Sequence, residues 1–311
     1  MTRIVAATGF GGPEQLALTE IDTPAPGAGQ VLVNVRAIGV NPIDWKLYSG
    51  AFGETPALLD SIGSEASGVI AGLGDGVDGW SVGDAVIVSP VDGNAYTDHI
   101  VVPATSLTAK PDTLAFEQAA AVPVAGGTAT QALEAADVGE GDTVLVHGAA
   151  GGVGSVTVQL ARLRGARVIG TASAGNHEFL RELGVEPVDY GPGLADRVRA
   201  LAPGGVDAAI DAIGSDEALD SSVELVADRQ RIVTMVRFDR AAGLGITAIG
   251  GGPGADPGTE IRAASIARVA DLVADGTVQI PVAHTYPLTE TAQAHRDSQA
   301  GHTRGKIVVV P

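Results

Sequence analysis

The chain has 311 residues, 45% of them hydrophobic, and its 37 acidic and 19 basic side chains give a net charge of −18. This charge disfavours nucleic acids and anionic membranes as partners, and no apolar run reaches the roughly 18 residues of a membrane span, so we expect a cytoplasmic protein. There is no cysteine, which excludes disulfides, thiol catalysis and thiolate zinc sites, and the six histidines lack metal-ligand spacing.

The first 120 residues have the pattern of short strands separated by glycine and proline turns. Strand-like segments lie at 30–37, 68–72 and 84–88. Short strands with frequent turn signals predict a compact β-rich domain.

From about Phe116 the pattern changes to strands that alternate with helices. Strands are predicted at 143–148, 166–171, 206–211 and 231–236, and helices at 152–164, 176–183 and 216–227. This alternation predicts an α/β domain with a doubly wound parallel sheet. A last helix is predicted at about 260–275, and we expect the final strand, 306–310, to return to the sheet of the first domain.

A glycine-rich run at 147–154 joins a predicted strand to a predicted helix. Ala149, Gly151 and Gly154 occupy the positions of the Gly-x-Gly-x-x-Gly dinucleotide fingerprint. Glycines let the backbone approach a phosphate closely, and the helix N-terminus offers free N–H groups and the positive end of a dipole. In this strand–turn–helix context, the run predicts a dinucleotide ligand.

The end of the next strand selects between NAD and NADP. NAD enzymes place an acidic residue there to bind the ribose 2′-hydroxyl. This chain has Ala172 and Ser173 after Thr171, and Glu178 lies too far along to be that acid. Small side chains leave room for a 2′-phosphate, so we predict NADPH, although Ser173 could instead serve as a helix cap.

Five motifs in the same order resemble the zinc-independent quinone oxidoreductases of the medium-chain dehydrogenase/reductase superfamily. They are GVNPIDWK at 39–46, GSEASG at 63–68, AAVPVAGGTA at 120–129, the glycine run, and YPL, AQAH and GHTRGK within 286–306. The resemblance implies an α/β fold with two domains and a homodimer. The expected domains are a GroES-like β-rich catalytic domain at 1–121 and 258–311 and a Rossmann cofactor domain at 122–257.

The resemblance also bears on metal binding. Zinc-dependent relatives carry a cysteine near position 41 and a histidine beside Glu65, whereas this chain has Asn41 and Ser64. Composition and resemblance therefore both predict an enzyme without a metal.

The resemblance further implies contacts to each part of the cofactor. These are Asn41 and Thr128 at the nicotinamide and its ribose, Ala150, Gly151, Gly152 and Val153 at the pyrophosphate, Ser173, His177 and Tyr190 at the 2′-phosphate, Gly214 at the adenosine, and Val236, Ile249 and Gly250 toward the nicotinamide. Relatives often have Lys or Arg in place of His177, and Arg181, one helical turn further on, is an alternative phosphate partner.

Hydride transfer needs few side chains, because the cofactor supplies the hydride and the protein positions it and stabilises developing charge. The catalytic candidates are Asp44, Lys46 and Tyr48, since on an extended or irregular segment a spacing of two could direct them to one side. Lys46 would stabilise an enolate or simply pair with Asp44. Tyr48 would replace as proton donor a tyrosine that relatives often have near Phe52.

We therefore predict an NADPH-dependent oxidoreductase that reduces small quinones or activated, α,β-unsaturated C=C bonds. Three alternatives remain open: an enoyl-thioester reductase, a zinc-free alcohol dehydrogenase-like enzyme, and a non-enzymatic NADPH-binding sensor or structural protein.

Overall fold

The computed structural model describes residues 1–91 and 93–311 and divides into two compact units. The first consists of Met1–Val124 and Ile266–Pro311, and the second of Ala125–Ser265. The two divisions fall inside helices, three residues after the first boundary expected from the sequence and eight residues after the second. Among the described residues, no helix is both long and apolar enough to cross a membrane.

Strands predominate before α2, and strands and α-helices alternate along most of the chain after it. The strands are β1 (Thr2–Ala7), β2 (Leu16–Ile21), β3 (Gln30–Val40), β4 (Ala66–Leu73), β5 (Ala85–Val88), β6 (His99–Pro103), β7 (Leu107–Ala109), β8 (Thr143–His147), β9 (Arg167–Thr171), β10 (Glu186–Val188), β11 (Ala208–Asp211), β12 (Ile232–Thr234), β13 (Thr247–Ala248), β14 (Val282–Pro287) and β15 (Lys306–Val310). The α-helices are α1 (Pro42–Tyr48), α2 (Phe116–Ala135), α3 (Gly152–Leu163), α4 (His177–Glu182), α5 (Leu194–Leu201), α6 (Asp216–Leu225), α7 (Phe238–Leu244), α8 (Thr259–Ala274) and α9 (Thr291–Ala300).

The first unit is built on a seven-stranded sheet in the order β14-β15-β3-β4-β5-β7, with β6 also paired to β3. Along β3 the side chains of Val31, Val33 and Val35 point to one face and are buried in the core. β15 pairs antiparallel with β3, with Val308 opposite Gly39. The prediction that the final strand returns to the first sheet is therefore confirmed.

An ion pair lies inside this unit. Lys306 begins β15 and Glu65 immediately precedes β4; their side chains are 5% and 0% exposed, and Lys306 Nζ lies 2.8 Å from Glu65 Oε1. The other carboxylate oxygen accepts the backbone N–H of Val124 at 2.7 Å. Pro123 lies inside α2 and interrupts its hydrogen-bond ladder, so Glu65 gives the next N–H of that helix an acceptor.

The second unit contains six parallel strands in the order β10-β9-β8-β11-β12-β13. The strand order reverses between β8 and β11, which is the position where this fold binds ligands, beyond the carboxyl ends of the strands. The predicted doubly wound sheet is confirmed. Two strands at the edges of this sheet, β10 and β13, were not predicted. They are three and two residues long, which is too short to show a recognisable pattern of hydrophobic residues.

His147 closes β8 with an imidazole that is almost completely buried. Its Nε2 lies 3.0 Å from Ser222 Oγ, and burial lowers the pKa of His147 to about 4. The ring is therefore neutral in the folded protein near pH 7.

The ion pair predicts non-additive effects on stability. Lys306→Met leaves a carboxylate buried without its cation, and Glu65→Gln leaves an ammonium without its anion, so each should lower the free energy of unfolding by about 3–5 kcal/mol. The double variant keeps neither charge and should lose much less than the sum. Urea unfolding of the four proteins measures this, and additive losses would contradict the prediction.

The buried imidazole predicts a stability loss in acid. Between the ordinary pKa of 6.5 and the lowered pKa of about 4, the unfolded chain binds a proton on His147 and the folded chain does not. The contribution of His147 to the free energy of unfolding is therefore constant above about pH 6.5. Below that pH the free energy of unfolding decreases, because protons bind preferentially to the unfolded chain. In His147→Gln the loss between pH 7 and 4.5 should be smaller, by up to about 3 kcal/mol. Parallel curves of unfolding free energy against pH would show that His147 does not contribute.

Candidate cofactor site and buried polar network

The glycine run forms a tight turn between β8 and α3. Gly148 has a φ of 70°, in the left-handed region that favours glycine, and its N–H donates to Thr171 Oγ1 at 3.3 Å. The N–H of Ala149 donates to the carbonyl of Thr171 at 3.1 Å. A Cβ on Gly154 would lie 2.1 Å from the carbonyl oxygen of Gly148. The turn therefore requires glycine at both 148 and 154.

This turn has the chemistry of an anion site. The first turn of α3 leaves backbone N–H groups without helical acceptors, and it contains no acidic side chain. The residues expected at the pyrophosphate, 150–153, form the turn and enter the helix. The residues present therefore fit the diphosphate of a dinucleotide.

The carboxyl ends of the parallel strands bring together most of the other predicted cofactor residues of this unit. Ser173 follows β9, Tyr190 follows β10, Gly214 follows β11, Val236 follows β12, and Ile249 and Gly250 follow β13. Of the remaining two, His177 begins α4, and Thr128 is a buried residue of α2.

Two buried residues that were not predicted, Asp211 and Thr234, fix the turns that follow β11 and β12 at the carboxyl ends of the strands. Asp211 Oδ1 accepts the N–H groups of Ile213 and Gly214 at 3.0 and 2.8 Å, and its Oδ2 accepts the hydroxyl of Thr234 at 2.8 Å. Thr234 Oγ1 in turn accepts the N–H of Val236 at 3.2 Å. Asp211 and Thr234 thus position the turns that carry Gly214 and Val236. The sequence signal was a polar residue closing an apolar strand.

The corner expected to hold the 2′-phosphate contains an unpredicted carboxylate. His177 Nε2 lies 3.3 Å from Asp189 Oδ1 and 3.3 Å from the carbonyl oxygen of Ala172. The sequence is right that β9 ends without an acid, but the neighbouring strand β10 ends beside it and brings Asp189 to the same corner.

Ser173 does not cap a helix through its side chain. It precedes a short 3₁₀ turn without a side-chain capping bond, and its hydroxyl oxygen accepts from Asn176 Nδ2 at 3.3 Å. Ser173 and Tyr190 are both exposed at this corner.

In the first unit, the segment with the catalytic candidates is a helix, so the expectation of an extended or irregular segment is wrong. Asn41 precedes α1 and Pro42 occupies its first position, a combination that favours helix initiation. Asp44 and Tyr48 lie one turn apart and are fully buried. Lys46 lies on another face, half-buried, with its Nζ 5.6 Å from the centroid of the Trp45 ring.

Asp44 and Tyr48 belong to a buried polar network. Asp44 Oδ2 accepts the N–H of Asn41 and the hydroxyl of Tyr96, both at 2.8 Å, and burial raises the pKa of Asp44 to about 7. The hydroxyl of Tyr48 lies 2.8 Å from His295 Nδ1. Burial lowers the pKa of His295 to about 4 and raises that of Tyr48, so both side chains are neutral near pH 7 and share this hydrogen bond.

The Asn41 side chain is held from both sides by the buried ion pair. Its Oδ1 accepts from Lys306 Nζ at 2.6 Å, and its Nδ2 donates to Glu65 Oε1 at 2.8 Å. Because an ammonium has no acceptor, this contact also fixes which end of the amide is oxygen.

The same residues do not fit a zinc ion. The positions where zinc relatives have ligands offer an amide and the hydroxyl of Ser64, and the nearby Glu65 is already bound to the Lys306 ammonium. Zinc prefers thiolate, imidazole and carboxylate ligands and would be repelled by that ammonium. Within residues 1–91 and 93–311, no group of three or more His, Cys, Asp or Glu could hold a metal ion.

Comparisons with known proteins agree with this architecture. A family model described as "Alcohol dehydrogenase GroES-like domain" matches residues 27–112, and one described as "Zinc-binding dehydrogenase" matches residues 183–309. The quinone oxidoreductase of Pseudomonas aeruginosa is 32% identical over 331 residues, which cover 100% of both chains. The rat synaptic vesicle membrane protein VAT-1 homolog is 38% identical over 221 residues, covering 69% of this chain but 54% of that protein.

A solved structure extends the match to three dimensions. The Escherichia coli quinone oxidoreductase complexed with NADPH is 27% identical, with a TM-score of 0.87 and 100% of each chain covered. The first unit is thus a GroES-like domain and the second a Rossmann domain. With full-length identity above 30% to a quinone oxidoreductase, the chain belongs to the quinone oxidoreductase family of the medium-chain dehydrogenase/reductase superfamily.

Proposed function

We propose that this protein is an NADPH-dependent oxidoreductase that reduces quinones or activated C=C bonds without a metal. The observation that carries the proposal is the glycine turn between β8 and α3, in a chain of the quinone oxidoreductase family. The similar Escherichia coli enzyme is described in complex with NADPH, which supports the choice of cofactor.

The proposed cofactor contacts follow the strand ends. The pyrophosphate would lie on 150–153, the 2′-phosphate near Ser173, His177 and Tyr190, and the adenosine beside Gly214. The proposed nicotinamide contacts are Asn41, Thr128, Val236, Ile249 and Gly250. When bound, NADPH supplies the hydride, and the backbone N–H groups of the glycine turn hold its phosphates.

The three catalytic candidates would have different tasks. Lys46 is the one with a partly exposed side chain, and we propose that its ammonium stabilises negative charge on the acceptor oxygen. Asp44 and Tyr48 are enclosed in the core and bonded to Tyr96 and His295, so we propose that they position α1 rather than touch the substrate. A quinone can take its protons from solvent, so quinone reduction does not require Tyr48 as an acid.

Small quinones and enones are favoured over carrier-bound enoyl thioesters. A carrier-bound substrate is commonly met by a basic docking surface, whereas this chain has a net charge of −18. The cytoplasmic location and the homodimer remain predictions; light scattering of the purified protein tests the dimer.

The glycine turn predicts a strong effect of one methyl group. Gly154→Ala places a Cβ 2.1 Å from the carbonyl oxygen of Gly148, so the turn must open, and we expect at least tenfold weaker NADPH binding, or about 1.4 kcal/mol or more. NADPH fluorescence titration measures this. Gly204→Ala is the matched control, because its Cβ meets nothing within 4 Å. Equal affinity in Gly154→Ala and the control would remove the turn from the cofactor site.

Oxidation of NADPH with a panel of acceptors tests the function itself. We expect turnover with quinones or enones, and little with enoyl thioesters. Tight NADPH binding without turnover on any acceptor would favour the sensor or structural alternative. Oxidation of alcohols with NADP⁺, without quinone or enone reduction, would favour the alcohol dehydrogenase-like alternative.

The same panel separates the roles of the α1 residues. Lys46→Met should lower kcat for enones about tenfold or more, because a charge-stabilising contact is lost. Tyr48→Phe should keep kcat within about threefold, because its hydroxyl bonds to His295 inside the core. Loss of enone turnover in a stably folded Tyr48→Phe would instead make Tyr48 the proton donor.

A further inference from the structure

The carboxyl ends of β9 and β10 meet at one corner of the Rossmann sheet. The two strands are parallel neighbours, with Val188 opposite Thr171, and the N–H of Ala172 donates to the carbonyl of Val188 at 3.1 Å. The chain therefore leaves both strands at the same level. Asp189, the residue after β10, comes to the corner where a Rossmann enzyme recognises the ribose 2′ position.

The Asp189 carboxylate is directed toward His177. Its Oδ1 lies 3.3 Å from His177 Nε2, while the carboxylate itself remains 57% exposed. The same Nε2 also faces the carbonyl of Ala172, so both neighbours are acceptors and Nε2 must carry the hydrogen. His177 is thus already engaged by an anion.

The loop that carries Asp189 is held in place by other groups. The Arg197 guanidinium donates to the backbone carbonyls of Asp189, Gly191 and Pro192, each at 2.8 Å through one of its Nη atoms. Glu217 Oε2 accepts the N–H of Gly191 at 2.7 Å. These bonds go to the backbone, so Arg197 and Glu217 hold the loop that carries Asp189 without forming an ion pair with its carboxylate.

We propose that Asp189 is a specificity-determining residue that lets this enzyme use NADH as well as NADPH. Its exposed carboxylate would accept a hydrogen bond from the 2′-hydroxyl of NADH, the task of the acid that β9 lacks. With NADPH, the carboxylate would face the 2′-phosphate and compete with it for His177. This inference rests on the proposed NADPH site, and it refines which cofactor that site accepts.

Asp189→Asn tests the inference without any electron acceptor. Removing one negative charge beside a doubly charged phosphate in a water-like environment should change the NADPH-to-NADH affinity ratio about tenfold in favour of NADPH. We expect NADPH to bind more tightly and NADH more weakly. Fluorescence titration with each cofactor gives the dissociation constants, and competition by adenosine 2′,5′-bisphosphate and by AMP isolates the adenosine end.

The control is Asp196→Asn, which makes the same change in net charge on the same unit at a side chain that is 85% exposed. Its affinity ratio should equal that of the unmodified protein. An unchanged ratio in Asp189→Asn, or weaker NADPH binding, would overturn the inference; the second result would mean that Asp189 positions His177 to bind the phosphate. If the unmodified protein bound neither cofactor, the proposed function itself would fail as well.

Discussion

A buried ammonium and a buried carboxylate constrain the arrangement of the first unit. Neither Lys306 nor Glu65 could remain in the core alone, because an unpaired buried charge is costly, so the segments that carry them must meet. Their contacts also include the carbonyl of Val40, the Asn41 amide and the N–H of Val124. The pair therefore fixes β15, the start of β4, the end of β3 and the proline-containing helix α2 together.

This constraint explains a glycine in the middle of a sheet. Gly39 lies within β3, where a glycine is normally unfavourable. A Cβ at that position would lie 2.1 Å from Glu65 Oε1 and 2.7 Å from the carbonyl oxygen of Ala120. The side chain is absent because the carboxylate and a helix occupy its space.

In the second unit, the electrostatic requirement is to attract an anion to a negatively charged protein. A chain with a net charge of −18 has to offer a site to an anionic cofactor. In the proposed site, the glycine turn would do this with backbone N–H groups and the helix dipole, which attract an anion without adding a formal charge. Asp211 is the counterpart: its carboxylate is buried and accepts three hydrogen bonds, so it fixes the neighbouring turns without being exposed to the cofactor.

Local patterns made much of the fold predictable, and long-range contacts account for what was missed. The apolar strands and the glycine turn are recognised within a few residues, so the fold class and the strand–turn–helix context of the glycine run followed from sequence. The predicted conformation of the segment that forms α1 was wrong. The spacing of two between the catalytic candidates was given more weight than Pro42 after Asn41, which is a signal for the start of a helix. The pairing of Tyr48 with His295 joins residues 247 positions apart, and no local pattern contains it. Asp189 required knowing that β10 lies beside β9.

The order of the two units along the chain has a consequence for biosynthesis. The Rossmann unit is contiguous, and all of its residues have been synthesised before Ile266 is added. The GroES-like unit is interrupted by it, and Glu65 has no cation until Lys306 leaves the ribosome. Because domains generally fold as they are completed, the cofactor unit can form while the chain is still growing. Until β15 is synthesised, the first unit lacks the strand that pairs with the end of β3 and the cation that pairs with Glu65. This unit is therefore the part of the nascent protein that depends most on protection from aggregation.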